Sequence, residues 1–336
     1  EFQNIKTPCY ILDEKALIKN AKLLGEVSGR TGCKMLLAQK AFSNYDCYQF
    51  FEPYLAGTEA SGLFEARLGA EEMPGKEVHV FCAGYRADEF EELLQYADHI
   101  VFNSPSQLLR FGAKAKKAGK SVGLRINPEY SDVETDLYNP CAPGSRMGVT
   151  GDLLGDKLPE GIEGLHFHTL CESTSYDLER TLAEVERRFG RFLPHVKWLN
   201  MGGGHLMTRK GYDVEHLIAL LKGFKERYPN LELIMEPGSA FAWQTGFLLT
   251  TVVDIVENHG IKTAIIDASF TCHMPDCLEM PYKPAIRFAT DAVEGKPTYR
   301  IGGNSCLSGD YMGDWSFDKP LEIGDKLIFE DMIHYT

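Results

Sequence analysis

The chain has 336 residues, 44% of them hydrophobic, and a formal net charge of -13. A chain of this length buries a large core and is expected to form about two domains. The negative charge argues against nucleic acid as a partner and is compatible with a cationic substrate. No apolar run reaches the roughly 18 residues that cross a bilayer, and the first residues lack the layout of a secretory signal. We therefore expect no membrane association and a cytoplasmic location.

The cysteines indicate a reducing environment. There are nine of them, no two form a CxxC pair, and several lie in strand-like runs. Buried, reduced thiols fit this distribution better than a disulfide framework does.

Eight short apolar runs recur along the chain up to Glu236, and each has the composition of a buried strand. They are residues 34–38, 56–60, 78–82, 99–103, 121–127, 162–168, 197–201 and 231–236. The segments between them have helical periodicity; in 176–193, for example, Leu178, Leu182 and Val185 recur three or four residues apart. Strands alternating with helices eight times predict a parallel (β/α)8 barrel.

The active site of such a barrel lies at the C-terminal ends of its strands, so the polar residues and glycines that follow each run are candidates. They are Lys40, Ser61, Glu65, Asn103, Arg125, His168, Gly202, Gly203, Gly204, Glu236 and Gly238. Consecutive glycines let backbone N–H groups approach an anion closely. A lysine and an anion cradle at one barrel mouth suggest pyridoxal phosphate, whose aldehyde bonds to a lysine amine and whose phosphate needs backbone donors.

The chain changes character after Glu236. β-rich runs at 247–256, 263–268, 299–301 and 326–329 alternate with turn residues and show little helical periodicity. These runs predict a second, mostly β domain.

Several segments, in their order along the chain, resemble the barrel-type pyridoxal phosphate decarboxylases, the family that includes ornithine, arginine and diaminopimelate decarboxylases. The segments are KMLLAQKAF, ASGLFEA, LHFHTLCE, NMGGGH, EPG and GGNSCLSGD. The stretches YNPC, GYDVEHLIAL, WQTG, HMPD and IHYT are similar to the carboxynorspermidine decarboxylases within that family. The resemblance implies an alanine racemase-like fold: a barrel at 14–239 and a discontinuous β-domain formed by 1–13 and 240–336.

The resemblance also implies roles for the site residues. Lys40 bonds to the cofactor, the ring of His168 stacks on it, and Glu236 faces the pyridine nitrogen. A carboxylate there favours the protonated ring, which is the stronger electron sink. The further cofactor contacts are expected from Ser61, Glu65, Arg125, Gly202, Gly203, Gly204, Gly238 and Tyr335.

Cys306 is expected to return a proton to the α-carbon after carbon dioxide leaves. Relatives receive this cysteine from the partner subunit, so we expect a homodimer with active sites at the subunit interface. The implied substrate is the polyamine precursor carboxynorspermidine or carboxyspermidine. The candidates for binding its cationic tail are Glu172, Asp276 and Asp310.

Two positions depart from the family pattern. Ser239 stands directly after EPG, where polyamine-type relatives often have an arginine that binds phosphate. Leu307 follows Cys306, where many relatives have an acidic residue. Phosphate binding is therefore expected to depend more on backbone groups and on Tyr335.

Other functions remain open from the sequence. His166 and His168 form an HxH pair that, with His205, His273 or Asp267, could bind a metal in a barrel hydrolase. We expect no metal, because such a pair belongs on the first strand and this one lies on the sixth. A noncatalytic carrier of the cofactor would lack the β-domain, and a diaminopimelate- or ornithine-type decarboxylase would differ in the substrate that it accepts.

Overall fold

A computed structural model describes residues 2–336, which divide into two compact units. The barrel unit is Ile18–Phe241, and the sheet unit combines the chain up to Leu17 with Ala242–Thr336. These boundaries fall a few residues after the expected ones. Within the sheet unit, Asp13 N–H donates to Thr245 O and Asp13 O accepts from Leu17 N–H, so the start of the first helix is tied to this unit.

The barrel unit contains eight parallel strands that pair in sequence order, with the last closing on the first. The first strand of the chain, β1 (Cys9–Leu12), belongs to the sheet unit. The eight barrel strands are β2 (Lys34–Ala38), β3 (Gly57–Ala60), β4 (Glu77–Phe81), β5 (His99–Phe102), β6 (Ser121–Arg125), β7 (Gly164–His166), β8 (Trp198–Asn200) and β9 (Glu232–Met235). Each overlaps one of the eight predicted runs, so the expected barrel is confirmed.

Helices connect most of these strands, and one further helix precedes the first barrel strand and another follows the last. They are α1 (Glu14–Thr31), α2 (Tyr48–Phe51), α3 (Leu63–Glu72), α4 (Phe90–Tyr96), α5 (Pro105–Lys117), α6 (Ser175–Phe189), α7 (Val214–Arg227) and α8 (Ser239–Ala242). The helix predicted within 176–193 is α6, which begins with a reciprocal cap between Thr174 and Asp177. The predicted alternation fails between β6 and β7, where the described chain forms two 3-10 turns, because prolines at 128, 140, 143 and 159 interrupt a helix.

The barrel interior is filled around Trp198. A Cβ at Gly123 would lie 2.2 Å from the Trp198 ring, and one at Gly164 would lie 2.0 Å from it. The two glycines on the neighbouring strands therefore make room for the indole, whose Nε1–H donates to Ser121 Oγ at 2.9 Å. Leu36 packs in the same buried apolar cluster as Trp198.

The N-terminal end of the barrel is closed by charged and aromatic side chains. Lys34 Nζ lies 2.5 Å from Glu77 Oε1 and 3.0 Å from Glu232 Oε2, and His79 Nε2 lies 2.7 Å from Glu77 Oε2. Burial opposes ionisation of Glu77, but the hydrogen bonds from His79 and Lys34 outweigh it and lower the pKa of Glu77 to about 2. His99 stacks on His79 with the ring centroids 3.9 Å apart, and burial lowers the pKa of His99 to about 3.

The sheet unit is organised around one long strand. Besides β1, its strands are β10 (Gly246–Asn258), β11 (Ile261–Ile266), β12 (Ala289–Asp291), β13 (Thr298–Gly302), β14 (Tyr311–Phe317) and β15 (Lys326–Glu330), with helices α9 (Phe270–His273) and α10 (Pro275–Glu279). The first half of β10 pairs with β1 and β15, and its second half pairs with β11. The expected β-domain is therefore present, and the N-terminal strand joins it.

Among residues 2–336 no helix combines the length and the apolar character needed to span a membrane. All nine cysteines are free thiols.

Candidate active site

Lys40 lies two residues beyond the end of β2 and faces a buried carboxylate. Its Nζ is 3.0 Å from Glu59 Oε2 on β3, where Glu59 is the registered neighbour of Ala38. Glu59 is 2% exposed, whereas a third of the Lys40 side chain is exposed. The amine is thus held at the barrel mouth beside a buried carboxylate.

Glu59 was not among the residues singled out from the sequence. Desolvation raises its pKa to about 7, because the nearby Lys40 offsets burial only in part and the charge of Glu236 adds to it. A carboxyl with this pKa exchanges its proton near neutral pH, within hydrogen-bond distance of the Lys40 amine. The available signal was a glutamate inside a short predicted strand, and the structure shows that Gly57–Ala60 is buried throughout.

Glu236 follows β9 and is 3% exposed. Asn200 Nδ2–H donates to Glu236 Oε1 at 2.7 Å, and His166 Nε2 lies 3.2 Å from Glu236 Oε2. Burial disfavours its charge, but the nearby His166 and Lys40 outweigh that effect and hold the pKa of Glu236 well below its ordinary range. The site therefore contains an ionised carboxylate.

The imidazole of His168 is fixed in orientation. Gly203 N–H donates to His168 Nδ1 at 3.1 Å, so the proton of the neutral ring is on Nε2. Burial, with the positive charges of Lys40 and Arg125, lowers the pKa of His168 well below its ordinary value. The result is a neutral, flat ring suited to stacking on a planar ligand.

Arg125 supplies a buried cation beside this ring. Its Nη2–H donates to His168 O at 3.1 Å, its Nη1 contacts Met147 Sδ at 3.8 Å, and its guanidinium lies 4.6 Å from the centroid of the Phe81 ring. Desolvation lowers the pKa of Arg125 to about 10, which still leaves it charged at neutral pH.

The glycine run allows close packing as well as backbone donation. A Cβ at Gly202 would lie 2.4 Å from Phe167 O, and one at Gly204 would lie 2.1 Å from Leu170 O. Gly202 N–H already donates to Asn200 Oδ1 at 2.9 Å, and Gly203 N–H donates to His168. Within residues 2–336 the N–H of Gly204 has no protein acceptor, so Gly204 is the member of the run whose amide remains for an anion.

The other residues predicted on the barrel unit have local roles. Ser61 N–H donates to Glu65 Oε2 at 2.6 Å at the start of α3. A Cβ at Gly238 would lie 2.5 Å from the Cβ of Ala41, so this glycine lets the end of β9 approach the turn that carries Lys40. Glu172 is exposed and has a φ of 46°, which turns the chain after β7.

Four predicted residues belong to the sheet unit. Cys306 is exposed in the loop between β13 and β14. Asp310, which closes this loop, is 4% exposed; its Oδ1 accepts from Phe270 N–H at 2.8 Å and its Oδ2 from Ser305 N–H at 3.3 Å. Asp310 thus anchors the Cys306 loop to the start of α9. Its role toward substrate stays a prediction.

Asp276 and Tyr335 are the other two. Asp276 is half-buried in the first turn of α10. Tyr335 is exposed and has a φ of 52°. Their roles toward substrate and phosphate stay predictions.

The barrel histidines considered for a metal each face a different partner. His166 is directed at Glu236, His168 accepts from Gly203 N–H, and His205 Nε2 bonds to Met201 O. A second group, Glu77 with His79 and His99 at the opposite end of the barrel, has ligand atoms within 4.8 Å of one another. The two rings are stacked with only 8° between their planes, so their in-plane lone pairs do not point at a common ion.

The residues at the C-terminal end fit pyridoxal phosphate. The Lys40 side chain is a third exposed at the barrel mouth, the His168 ring is flat and neutral, Glu236 is ionised, and the Gly204 amide remains for a phosphate oxygen. These are the groups that this cofactor needs: an amine for its aldehyde, a stacking face, a partner for its ring nitrogen and a donor for its phosphate.

Comparison with known proteins agrees with this fit. A family model described as pyridoxal-dependent decarboxylase, C-terminal sheet domain, matches residues 9–333. The chain is 50% identical to a carboxyaminopropylagmatine decarboxylase of Synechocystis sp., over 99% of this chain and 86% of that protein. It is 43% identical to a carboxynorspermidine/carboxyspermidine decarboxylase of Campylobacter jejuni, over 100% of this chain and 89% of that protein.

A solved structure extends the comparison to three dimensions. The crystal structure of carboxynorspermidine decarboxylase from Campylobacter jejuni, complexed with norspermidine, has a TM-score of 0.90 and 42% sequence identity to this chain. The match covers 99% of this chain and 89% of that chain. The fold and the site therefore define a barrel-type pyridoxal phosphate enzyme. More narrowly, the chain belongs to the pyridoxal phosphate-dependent decarboxylase family, and its cofactor is pyridoxal phosphate.

Proposed function

We propose that this enzyme removes the α-carboxylate of carboxynorspermidine or carboxyspermidine and so forms norspermidine or spermidine in polyamine biosynthesis. The observation that carries the chemistry is the pairing, at one barrel mouth, of the Lys40 amine beside Glu59 with the ionised carboxylate of Glu236. The names of relatives that are 43% and 34% identical, and the norspermidine complex of a structural neighbour, support the substrate.

The bound cofactor supplies a sink for the electron pair that carbon dioxide leaves behind. Lys40 Nζ holds the cofactor, and Glu59 Oε2 exchanges a proton with this amine. The His168 ring would hold the ring of the cofactor by stacking, and the Gly204 N–H would hold its phosphate. Glu236 favours the protonated state of the ring nitrogen, which strengthens the sink.

Cys306 is proposed as the acid that returns a proton to the α-carbon. Its exposed position in a loop anchored by Asp310 supports this role, because a loop that is fixed at its base presents its thiol in a defined place. The family resemblance brings this loop from a partner subunit, so we propose a homodimer with shared active sites.

The tail of the substrate is cationic. The net charge of -13 favours its approach, and the exposed carboxylate of Glu172 is the candidate on the barrel unit for binding one of its ammonium groups. Asp276 is the candidate on the sheet unit. The nine free thiols support the proposed location in the cytoplasm.

A second candidate substrate is carboxyaminopropylagmatine. The relative named for acting on it is 50% identical to this chain, compared with 43% for the carboxynorspermidine/carboxyspermidine decarboxylase of Campylobacter jejuni. The two tails differ in chemistry, since a guanidinium is planar and binds a carboxylate through two parallel hydrogen bonds, whereas an ammonium is a compact charge.

The test is a competition among substrates. Cofactor-loaded protein is incubated with equal amounts of carboxynorspermidine, carboxyspermidine, carboxyaminopropylagmatine, diaminopimelate and ornithine, and the products are identified by mass. Norspermidine or spermidine as the first product supports the proposal, and aminopropylagmatine favours the second candidate. Lysine or putrescine alone would overturn the substrate assignment while keeping the chemistry.

A further inference from the structure

Three side chains from neighbouring strands meet around one buried carboxylate. His166 closes β7, Asn200 closes β8 as its registered partner, and Glu236 follows β9. Each oxygen of Glu236 has its own donor: Asn200 Nδ2 at 2.7 Å from Oε1 and His166 Nε2 at 3.2 Å from Oε2. All three residues are at most 3% exposed, so no solvent competes for these hydrogen bonds.

The orientation of Asn200 is set by the backbone. Its Oδ1 accepts from Gly202 N–H at 2.9 Å, which leaves its NH₂ group to face Glu236. Glu236 N–H in turn donates to Gly202 O at 2.8 Å. Asn200, Gly202 and Glu236 therefore form a closed ring of hydrogen bonds, and the amide of Asn200 has no alternative arrangement with the same number of bonds.

The orientation of His166 is set by its other contacts. Its ring stacks against Phe81 at a centroid distance of 5.4 Å, and Arg125 lies over the same phenyl ring at 4.6 Å. Within residues 2–336 its Nδ1 is buried with no hydrogen-bond partner. Leaving this nitrogen unpaired costs stability, and the arrangement keeps Nε2 directed at Glu236. A histidine that served only the core would gain stability from hydrogen bonds at both ring nitrogens.

We propose that His166 and Asn200 are positioning residues that act through Glu236, fixing the orientation and the ionised state of its carboxylate toward the ring nitrogen of the cofactor. The inference rests on the proposed function and deepens it, because it names the residues that tune the electron sink. Neither residue needs to touch the substrate.

A matched pair of variants tests the role of His166. In His166→Gln the side-chain amide nitrogen reaches the place of Nε2 and keeps the donor, whereas in His166→Asn the side chain is too short to reach Glu236. Each is loaded with pyridoxal phosphate labelled with ¹⁵N in the ring, and the pKa of the ring nitrogen is measured by NMR. We expect His166→Asn to lower this pKa by about one unit or more and His166→Gln to restore most of the difference.

A double-variant cycle separates this role from a merely structural one. If His166 acts through Glu236, then His166→Asn has no further effect on the ring-nitrogen pKa in a Glu236→Gln background. In the otherwise unchanged protein, kcat for the best substrate falls on the order of 10-fold in His166→Asn, with KM changed less than about twofold.

An unchanged ring-nitrogen pKa in folded, loaded His166→Asn would overturn the proposal, as would an equal additional shift in the Glu236→Gln background. If His166→Asn does not fold, Asn200→Ser, which removes the other donor, carries the same expectation. The nitrogen measurement needs no substrate. Its outcome is therefore distinguishable from a failure of the substrate assignment.

Discussion

The two ends of the barrel each contain a lysine–glutamate pair and a histidine–glutamate pair. At the C-terminal end these are Lys40 with Glu59 and His166 with Glu236; at the N-terminal end Lys34 and His79 share Glu77. Two donors on one partly exposed carboxylate lower the pKa of Glu77 to about 2, whereas burial raises that of Glu59 to about 7. The same residue types therefore form stabilising ion pairs at one end and a carboxyl that titrates near neutral pH at the other. Burial and the number of donors set this difference in pKa.

The strongest test of this comparison replaces the lysine at each end. Lys40→Ala removes the amine that we propose holds the cofactor, so we expect turnover to fall by a factor on the order of 10⁴ or more. Lys34→Ala should leave turnover within about twofold and lower the free energy of unfolding by about 0.5–1 kcal/mol, the contribution of a partly exposed ion pair.

Steady-state turnover, the absorbance of the lysine-bound cofactor and denaturant unfolding measure these effects. A lysine-linked cofactor that persists in Lys40→Ala would show that another lysine holds it. A loss of turnover in Lys34→Ala would remove the functional contrast between the two ends.

Cys306→Ala tests whether the groups at the C-terminal end of the barrel perform every proton transfer. A missing general acid costs about 10²-fold or more, so we expect turnover to fall by that factor while the cofactor still loads. Product analysis by mass and by deuterium incorporation at the α-carbon measures the effect. Normal product formation at the original rate would exclude Cys306 from the mechanism.

The next test exchanges the carboxylates for amides at both ends. Glu59→Gln should lower turnover on the order of 10-fold and remove a limb near pH 7 from the pH profile of kcat, because the group that titrates there is gone. Glu77→Gln should leave that profile unchanged. A limb near pH 7 that survives in Glu59→Gln would assign it to another group.

The raised pKa of Glu59 also predicts how the free energy of unfolding changes with pH. Its pKa in the folded protein is raised to about 7 from an ordinary value of 4.5, so the folded protein binds more protons than the unfolded chain between these values. Its contribution to the free energy of unfolding is therefore lost as the pH rises from about 4.5 to about 7. Glu59→Gln should remove this part of the pH dependence in urea unfolding.

The smallest expected effect is a loss of stability as the pH falls, and it comes from residues at the N-terminal end. Its sign is opposite to that of Glu59, whose contribution is lost as the pH rises. The pKa of Glu77 is lowered from 4.5 to about 2, so its stabilisation is complete above pH 4.5 and is lost as the pH falls toward 2. The pKa of His99 is lowered from 6.5 to about 3, so the unfolded chain binds a proton that the folded protein excludes, and stability falls from pH 6.5 to 3.

His99→Gln isolates the second contribution. We expect this variant to lose less stability than the parent protein between pH 6.5 and 3, measured by urea unfolding at a series of pH values. An identical decline in both proteins would show that His99 is not protonated more readily in the unfolded chain. Glu77→Gln provides the matching comparison below pH 4.5.

The sequence by itself determined the barrel and predicted Lys40 as the lysine that binds the cofactor. Buried parallel strands are nearly continuous apolar runs, so their number and order could be read directly. Lys40 stands two residues after the first barrel strand, and Glu236 directly follows the last. The sequence also predicted the β-domain, although β14 was not recognised as a strand. In its sequence YMGDWSF, Gly313 and Asp314 interrupt the pattern, and pairing with β13 and β12 forms the strand.

Only the tertiary structure decided which polar groups meet and in which state of ionisation. Glu59 lies 19 positions from Lys40 along the chain, and its pKa depends on how completely the barrel excludes water, which no local pattern records. The glycine run suggested three donors for an anion, but Asn200 and His168 accept from two of them, and this became visible only when β7, β8 and β9 were placed side by side. Hydrogen bonds between residues far apart in sequence, and the desolvation that strengthens them, are properties of the assembled barrel.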